Sequence, residues 1–352
     1  MPFLRLRRSE APPAPMSGAL RRRRAWLAGG VWALALLAGC DAPRHPAVSA
    51  VTAEPAASQA APPAPAQTRV ALIMKTLTNP FFVEMERGAR RAQQEAGVEL
   101  QVRTATQETS IEQQIQLVGD AVRAGARAIV IAPGDSARLV PALKSAQDAG
   151  IAVVNIDNRL DAEAMAAAGM RPVPFVGVDN EQGAFAAARH LAARVPAGEP
   201  AEAAIIEGIR GADNARQRLL GAERGLGTNP RIRIVARESA NWKIDEAHAV
   251  AARIFKRHPR VSVLVCANDM MAIGALKYLQ ESGRGDVLVG GFDALAEVLP
   301  ALRAGQLAVT VDQQAAEQGY LGVKTALALL AGASVPPQQL IDSRLVTARA
   351  LQ

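Results

Sequence analysis

From residue 69 onward, short apolar runs alternate with longer amphipathic ones. Val70-Ala71-Leu72-Ile73-Met74 is an unbroken apolar run of strand length, the pattern of a parallel strand buried on both faces. After Lys75 comes Thr76-Leu77-Thr78-Asn79-Pro80-Phe81-Phe82, and the amphipathic run from Val83 to Ala96 then predicts a helix. Further strands are predicted at 99–103, 127–132, 152–156 and 174–178, with helices at 82–96, 111–124 and 136–149. A second set places strands near 202–206, 231–236, 261–266 and 287–291, with helices near 181–194, 214–226, 244–257 and 269–282. Strands separated by helix-length intervals imply parallel sheets made of βαβ units. Two such sets exceed the needs of one sheet. The expected fold is α/β, with two doubly wound parallel-sheet lobes.

The tail adds a strand at Leu307 to Val311, a helix at 315–331 and a final extended run at about 340–347. These elements are expected to return and complete both lobes. The N-terminal lobe would hold 68–178 plus about 314–341, and the C-terminal lobe 179–313 plus about 342–350. A chain that crosses more than once makes a hinge, tying the halves while leaving a cleft between them.

Charge changes the picture only at the front of the chain. The 352 residues carry 40 Lys and Arg against 33 Asp and Glu, and the pI is near 10.0. Residues 1–39 hold seven of those arginines (Arg5, Arg7, Arg8 and Arg21 to Arg24) and one acid, Glu10. Without them 33 basic and 32 acidic residues remain, so the basic balance marks an address and not a polyanion site. Arg21 to Arg24 precede the apolar stretch 25–37, which is short for a transmembrane helix and suits an export signal. Leu37-Ala38-Gly39-Cys40 resembles the lipobox of bacterial lipoproteins. That resemblance implies removal of 1–39 as a signal peptide, lipidation of Cys40, and a periplasmic protein anchored to a bacterial membrane. An uncleaved anchor and a soluble export signal are the competing readings. Residues 40–67, with Ala61-Pro62-Pro63-Ala64-Pro65-Ala66 near their end, read as an Ala/Pro-rich tether.

Catalytic readings find little to stand on. Cys266 ends an apolar strand run and reads as a buried thiol, and with Cys40 lipidated no intramolecular disulfide can form. His45, His190, His248 and His258 are scattered without metal-ligand spacing, so neither a metal nor another cofactor is expected. No Gly-x-Gly-x-x-Gly follows the first strand, and no phosphate loop is present. Nothing fixes a carboxylate pair at the separation that glycoside hydrolysis needs.

Binding chemistry, by contrast, collects at predicted strand ends. Asn155-Ile156-Asp157-Asn158-Arg159, Asn268-Asp269 and Phe292-Asp293 all follow predicted strands, and Arg210, Arg216 and Arg218 occupy another strand-to-helix connection. Open parallel sheets bind ligands at such ends. A carboxylate accepts from neighbouring hydroxyls and a guanidinium donates in a fixed fork, which together suit a polyhydroxylated molecule. Phe81, Phe82 and Trp242 supply flat apolar surface for its C–H faces. Each residue also has a plainer reading. Asp157, Asp269 and Asp293 are also suited to capping helices, Arg218 to a structural or surface charge, Phe82 to a helix core and Trp242 to a lobe edge.

Asn79-Pro80-Phe81-Phe82, Ile156-Asp157-Asn158-Arg159, Ala215-Arg216-Gln217-Arg218, Asn268-Asp269-Met270-Met271-Ala272-Ile273-Gly274-Ala275 and Val289-Gly290-Gly291-Phe292-Asp293 carry a resemblance by their order and spacing. Over roughly residues 68–349 the chain resembles the type I periplasmic sugar-binding proteins, especially the ribose-binding branch. The resemblance implies first-lobe contacts at Lys75, Asn79, Phe81, Phe82, Asp157 and Asn158. Second-lobe and hinge contacts are implied at Arg216, Trp242, Asn268, Asp293 and Gln313. Lys75 stands where ribose binders carry a small hydroxyl residue, and Asn158 where they carry arginine. Arg159 is a candidate for the displaced guanidinium. The implied ligand is thus a pentose, a hexose, a polyol or an acidic sugar, the last favoured if Lys75 faces the cleft and not solvent.

The resemblance further implies that the ligand closes the lobes and that the closed form, a monomer, docks on an ABC permease. A periplasmic receptor serving a sensor kinase or chemoreceptor is the alternative. Sugar-responsive repressors share the fold but carry a DNA-binding headpiece where this chain has its export signal, Cys40 and tether, so no nucleic-acid partner is expected.

Overall fold

The computed structural model describes residues 67–196, 198 and 200–352. The expected signal peptide, Cys40 and all but the last residue of the tether lie outside the described residues.

The first stretch alternates β1 (Arg69–Met74), α1 (Pro80–Ala96), β2 (Glu99–Thr104), α2 (Ile111–Arg123), β3 (Ala128–Ile131), α3 (Val140–Asp148), β4 (Ala152–Ile156), α4 (Ala162–Ala167) and β5 (Phe175–Val178). The second continues with α5 (Asn180–Ala192), β6 (Ala201–Glu207), α6 (Asp213–Leu226), β7 (Ile232–Ser239), α7 (Ile244–Arg257), β8 (Val261–Cys266), α8 (Asp269–Glu281), β9 (Leu288–Gly290), α9 (Leu299–Arg303) and β10 (Thr310–Asp312). The tail supplies α10 (Ala315–Leu330), β11 (Gln338–Ile341) and β12 (Arg344–Val346).

One sheet has the order β11-β5-β4-β3-β1-β2, with every pairing parallel. The other has the order β7-β6-β8-β9, again parallel. Backbone hydrogen bonds carry it onward from β9 to the segment before and within β10 (Gly291 N to Val309 O, Asp293 N to Val311 O), and β12 pairs antiparallel with β10. The unbroken apolar runs are explained by two-sided burial. Val70, Leu72 and Met74 enter one core while Ala71 and Ile73 enter the core on the opposite face. In the second sheet Ala204, Ile206, Leu264 and Cys266 face one core, and Ala203, Ile205, Val263 and Val265 the other.

The final extended run differs from expectation. It is two strands, β11 completing the first sheet and β12 the second, because Asp342 and Ser343 carry the chain from one sheet edge to the other. The helices α4 and α9, of 6 and 5 residues, were not expected; each is too short to show a helical period. Sheet membership makes the chain pass between the lobes after β5, after β10 and after β11. The last two passages are clasped together: Gln314, at φ 53°, donates from Nε2 to Asp342 O at 2.6 Å.

Candidate functional site

The C-terminal ends of the strands in both sheets open onto one cavity. From the first sheet come Lys75, just past β1, and Asn79, Phe81 and Phe82 at the start of α1. Asn79 fixes that start: its Oδ1 accepts from Phe81 N at 3.1 Å, and Pro80 occupies the first helical position, where a missing N–H loses nothing. The cap holds Phe81 and Phe82 edge to face, with ring centroids 5.1 Å apart. Asn79 Nδ2 donates to Glu108 Oε1 at 2.9 Å and brings that carboxylate to the cavity wall. Asp157, past β4, takes the left-handed conformation at φ 64°, one that aspartate tolerates better than most residues. Its Oδ2 lies 2.9 Å from Lys75 Nζ, and Glu108 Oε2 lies 4.0 Å from the same ammonium.

The second lobe contributes Asn214 and Arg218, one helical turn apart on α6, together with Trp242, Asn268, Asp293 and Gln313. Arg218 is locked in place. Its Nε donates to Asn180 Oδ1 at 2.8 Å and its Nη1 to Ala267 O at 2.9 Å, while its plane lies 3.8 Å from the Phe292 ring centroid. Asp293 Oδ1 is 3.6 Å from that Nη1 and accepts from Gln313 Nε2 at 2.6 Å. Asn268 caps α8 through its Oδ1, accepting from Met271 N. Trp242 sits at φ 67° and Asp293 at φ 121°, so strained backbone collects at this site. The indole lies flat on Gly208, where an added Cβ would fall 2.0 Å from the ring. Only glycine fits beneath Trp242.

Together these residues line a narrow cavity with about 20 Å³ of free space, and apart from the half-buried Glu108 none is more than 8% exposed. Phe81, Phe82 and Trp242 form its apolar wall. Burial pushes the Glu108 carboxyl up, opposed by the Lys75 ammonium and the Asn79 hydrogen bond. Burial also raises Asp293 well above the usual carboxylate range, with the Arg218 guanidinium opposing. Among the described residues, buried side-chain atoms without a hydrogen-bond partner include Trp242 Nε1 and Asn214 Oδ1, both on this cavity, while Asp157 Oδ2 beside them is held by the Lys75 ammonium. The first is a donor and the second an acceptor. Leaving such groups unpaired costs about 1–3 kcal/mol each, so the cavity is shaped for a ligand that both donates and accepts. Hydroxyl groups do both, and no catalytic base or nucleophile is needed to use them.

Of the expected residues, Lys75, Asn79, Phe81, Phe82, Asp157, Trp242, Asn268, Asp293 and Gln313 meet here, and Lys75 faces the cavity, not solvent. Three do not. Arg216 is a correction: its side chain is 61% exposed and pairs with Asp213, because α6 turns Arg218 inward and a residue two positions earlier outward. Arg159 is a second: its guanidinium stacks 3.8 Å from the Phe175 centroid and donates to Gln338 Oε1 on β11. Asn158 is a third, fully buried but beside the cavity, with its Nδ2 donating to Pro133 O and its Oδ1 accepting from Asn214 N. Sequence reasoning missed Glu108 and Asn214; it weighed Arg218 as a strand-end guanidinium but left it out of the implied contacts. Asn214 and Arg218 carried a signal in their i, i+4 spacing, but Glu108 sits in a loop without periodicity. Asp269 also lies off the cavity, accepting from Leu295 N at 2.9 Å and Thr310 Oγ1 at 2.8 Å. Gly291 admits that carboxylate, since a Cβ there would fall 2.1 Å from Asp269 Oδ1.

Comparison with known proteins agrees with this architecture. Residues 70–334 match the family described as periplasmic binding protein domain. The D-ribose/D-allose-binding protein of Pseudomonas aeruginosa is 42% identical over 271 residues, which are 76% of this chain and 84% of that protein. The D-allose-binding periplasmic protein of Escherichia coli is 33% identical across 80% of this chain and 93% of its own length. Among solved structures, an ABC transporter periplasmic solute-binding protein from Actinobacillus succinogenes with bound D-allose superposes with a TM-score of 0.76. It is 35% identical and is covered over 99% of its length by 81% of this chain.

Proposed function

Because the chain belongs to the periplasmic binding protein domain family, we propose that its cavity takes a neutral aldose of the ribose and allose class, one ring at a time. The protein is a sugar-binding component of ABC-type import and not an enzyme; it captures its solute by closure of the two lobes in the periplasm. The observation that carries the choice of sugar is the pair of orphaned atoms on Trp242 and Asn214, set beside the Asp157 carboxylate around an aromatic wall. Neutrality follows from charge. Lys75 is matched by Asp157 and Glu108, and Arg218 by Asp293, so a sugar carboxylate would meet carboxylates that already hold the cations.

In this reading Phe81, Phe82 and Trp242 cover the ring faces. Lys75, Asp157, Asn214, Arg218, Asn268, Asp293 and Gln313 divide the hydroxyls, and Asn79 and Glu108 brace the first lobe's side. D-allopyranose has the ring hydroxyl arrangement of D-ribopyranose plus one hydroxymethyl group, so one polar set serves both. Two relatives are named for D-allose, one of them for D-ribose as well, which supports the same class. The lobes divide at 68–178 plus 314–341 and 179–313 plus 342–350, and the protein acts as a monomer held at the membrane through lipid on Cys40. Mass spectrometry of the membrane fraction tests that anchor: wild type carries acyl mass on its N-terminal peptide and Cys40→Ser does not.

Titration calorimetry against D-ribose, D-allose, D-galactose, myo-inositol and D-galacturonate tests the ligand class. D-allose or D-ribose should bind in the low-micromolar range or tighter, and D-galacturonate should not. Heat from the acid alone, or from none of them, contradicts the reading.

A further inference from the structure

The helix α6 has no cap of its own. Its N-cap residue is Ala212, with φ −101° and ψ 128°, and an alanine side chain accepts nothing. By contrast α1, α5 and α8 are capped by Asn79, Asp179 and Asn268 from their own lobes. The first N–H groups of any helix lack intrahelical partners and must find one elsewhere. In α6 the N–H of Asp213 donates to Ser136 Oγ at 2.9 Å, and that of Asn214 donates to Asn158 Oδ1 at 3.0 Å. Both acceptors belong to the other lobe, Ser136 after β3 and Asn158 after β4. Ser136 N also donates back to Gly211 O at 3.0 Å, and Gly211 admits the Asp135 carboxylate where a Cβ would lie 2.4 Å from its Oδ2.

We propose that Ser136 and Asn158 cap α6 across the cleft, so that this helix is fully capped only when the lobes are closed. The inference rests on the sugar-binding reading of the same cavity. Ser136 and Asn158 do not line the cavity; they are positioning residues that act through Asn214 and Arg218. Asn158 is itself held by donation from its Nδ2 to Pro133 O at 3.0 Å, which leaves its Oδ1 aimed at α6. The same helical turn that receives the cap presents the unpaired Asn214 Oδ1, and Arg218 follows one turn later. Opening the lobes returns both N–H groups to water, while closing them supplies acceptors already fixed in place. The cap thus shifts the population toward the closed state. Apparent sugar affinity rises with the closed fraction although neither capping residue touches sugar.

Two variants remove one cap from opposite sides. Ser136→Ala deletes the acceptor. Asp213→Pro deletes the donor yet suits the first position of the helix, and the extended Ala212 before it tolerates proline. Each should weaken binding of D-allose or D-ribose by about tenfold in titration calorimetry, the order expected for loss of an N-cap. The double variant should lose less than the product of the two singles, because both changes remove the shared bond from Asp213 N to Ser136 Oγ, each also losing a side-chain contact of its own: Asn158 Nδ2 to Ser136 Oγ in one, Arg216 and Gln217 to the Asp213 carboxylate in the other. Melting temperatures of the sugar-free proteins should stay near wild type, whereas a purely structural role would lower them in step with affinity. Affinities within twofold of wild type in both singles, losses that multiply in the double, or melting temperatures that fall with affinity overturn the proposal. Should no sugar bind the wild type, the reading of the cavity fails by itself. Small-angle scattering of the sugar-free chain then decides the cap: Ser136→Ala must have a larger radius of gyration than wild type, and equal radii overturn it.

Discussion

Lys75 Nζ stands 2.9 Å from Asp157 Oδ2, so the segments that leave β1 and β4 meet as a buried ion pair on the cavity wall. Two desolvated charges of this kind are tolerated only when matched, and removing one member leaves the other uncompensated. Asp157 is also a hydroxyl acceptor in the proposed complex. Asp157→Ala should therefore weaken sugar binding by about tenfold or more, since a stranded hydroxyl costs about 1–3 kcal/mol. Calorimetry checks this, with circular dichroism confirming the fold. Unchanged affinity would remove Asp157 from the contacts.

Arg218 and Arg216 separate the cavity from the surface by a single pair of substitutions. Arg218 is buried, with Asn180 and Ala267 holding two arms of its fork; Arg216 is exposed and pairs with Asp213 within its own helix. Arg216→Ala should alter sugar affinity by less than about twofold, as an exposed helical ion pair contributes only tenths of a kcal/mol. Arg218→Lys should reduce affinity by at least about tenfold, because an ammonium cannot replace a fork held at two points. Equal effects from both, measured by calorimetry, would contradict the assignment.

Asp269 gives a signature in pH. Burial pushes its carboxyl up to about 7, against the hydrogen bonds from Leu295, Thr310 and Phe292 and the Arg218 charge. A group whose pKa is higher in the folded state makes the folded protein bind more protons than the unfolded chain. Its contribution is complete below the ordinary value of 3.8 and is lost as pH rises toward about 7. Urea unfolding of the sugar-free protein should then show wild type losing stability relative to Asp269→Asn as pH climbs from about 4 to about 7. Parallel profiles would place Asp269 in its ordinary range.

The first half of the site was legible because local chemistry is written in order there. Asn79-Pro80 states a helix start, the apolar run before it states a strand, and parallel-strand ends carry ligands. That reasoning placed Lys75, Phe81, Phe82 and Asp157 on one cavity and Trp242 and Asp293 opposite. It misjudged α6, where choosing between Arg216 and Arg218 needs the rotational setting of the helix. That setting is fixed by Asn180 and Ala267, both distant in sequence. Asn158 was misassigned for a related reason: it stands at a ligand position by spacing but reaches across to a helix end. Residues 340–347 look continuous because two short strands of different sheets follow one another with only Asp342 and Ser343 between.

Trp242 gives the most direct measurement of the central claim, that the sugar is enclosed between the lobes against this ring. Trp26 and Trp32 fall within residues 1–39, so a chain beginning at Cys40 reports from Trp242 alone. Titration with D-allose or D-ribose should change its emission saturably, with the midpoint matching the calorimetric affinity. Sugar that binds by calorimetry while the Trp242 emission stays constant would place the ligand elsewhere and contradict the account.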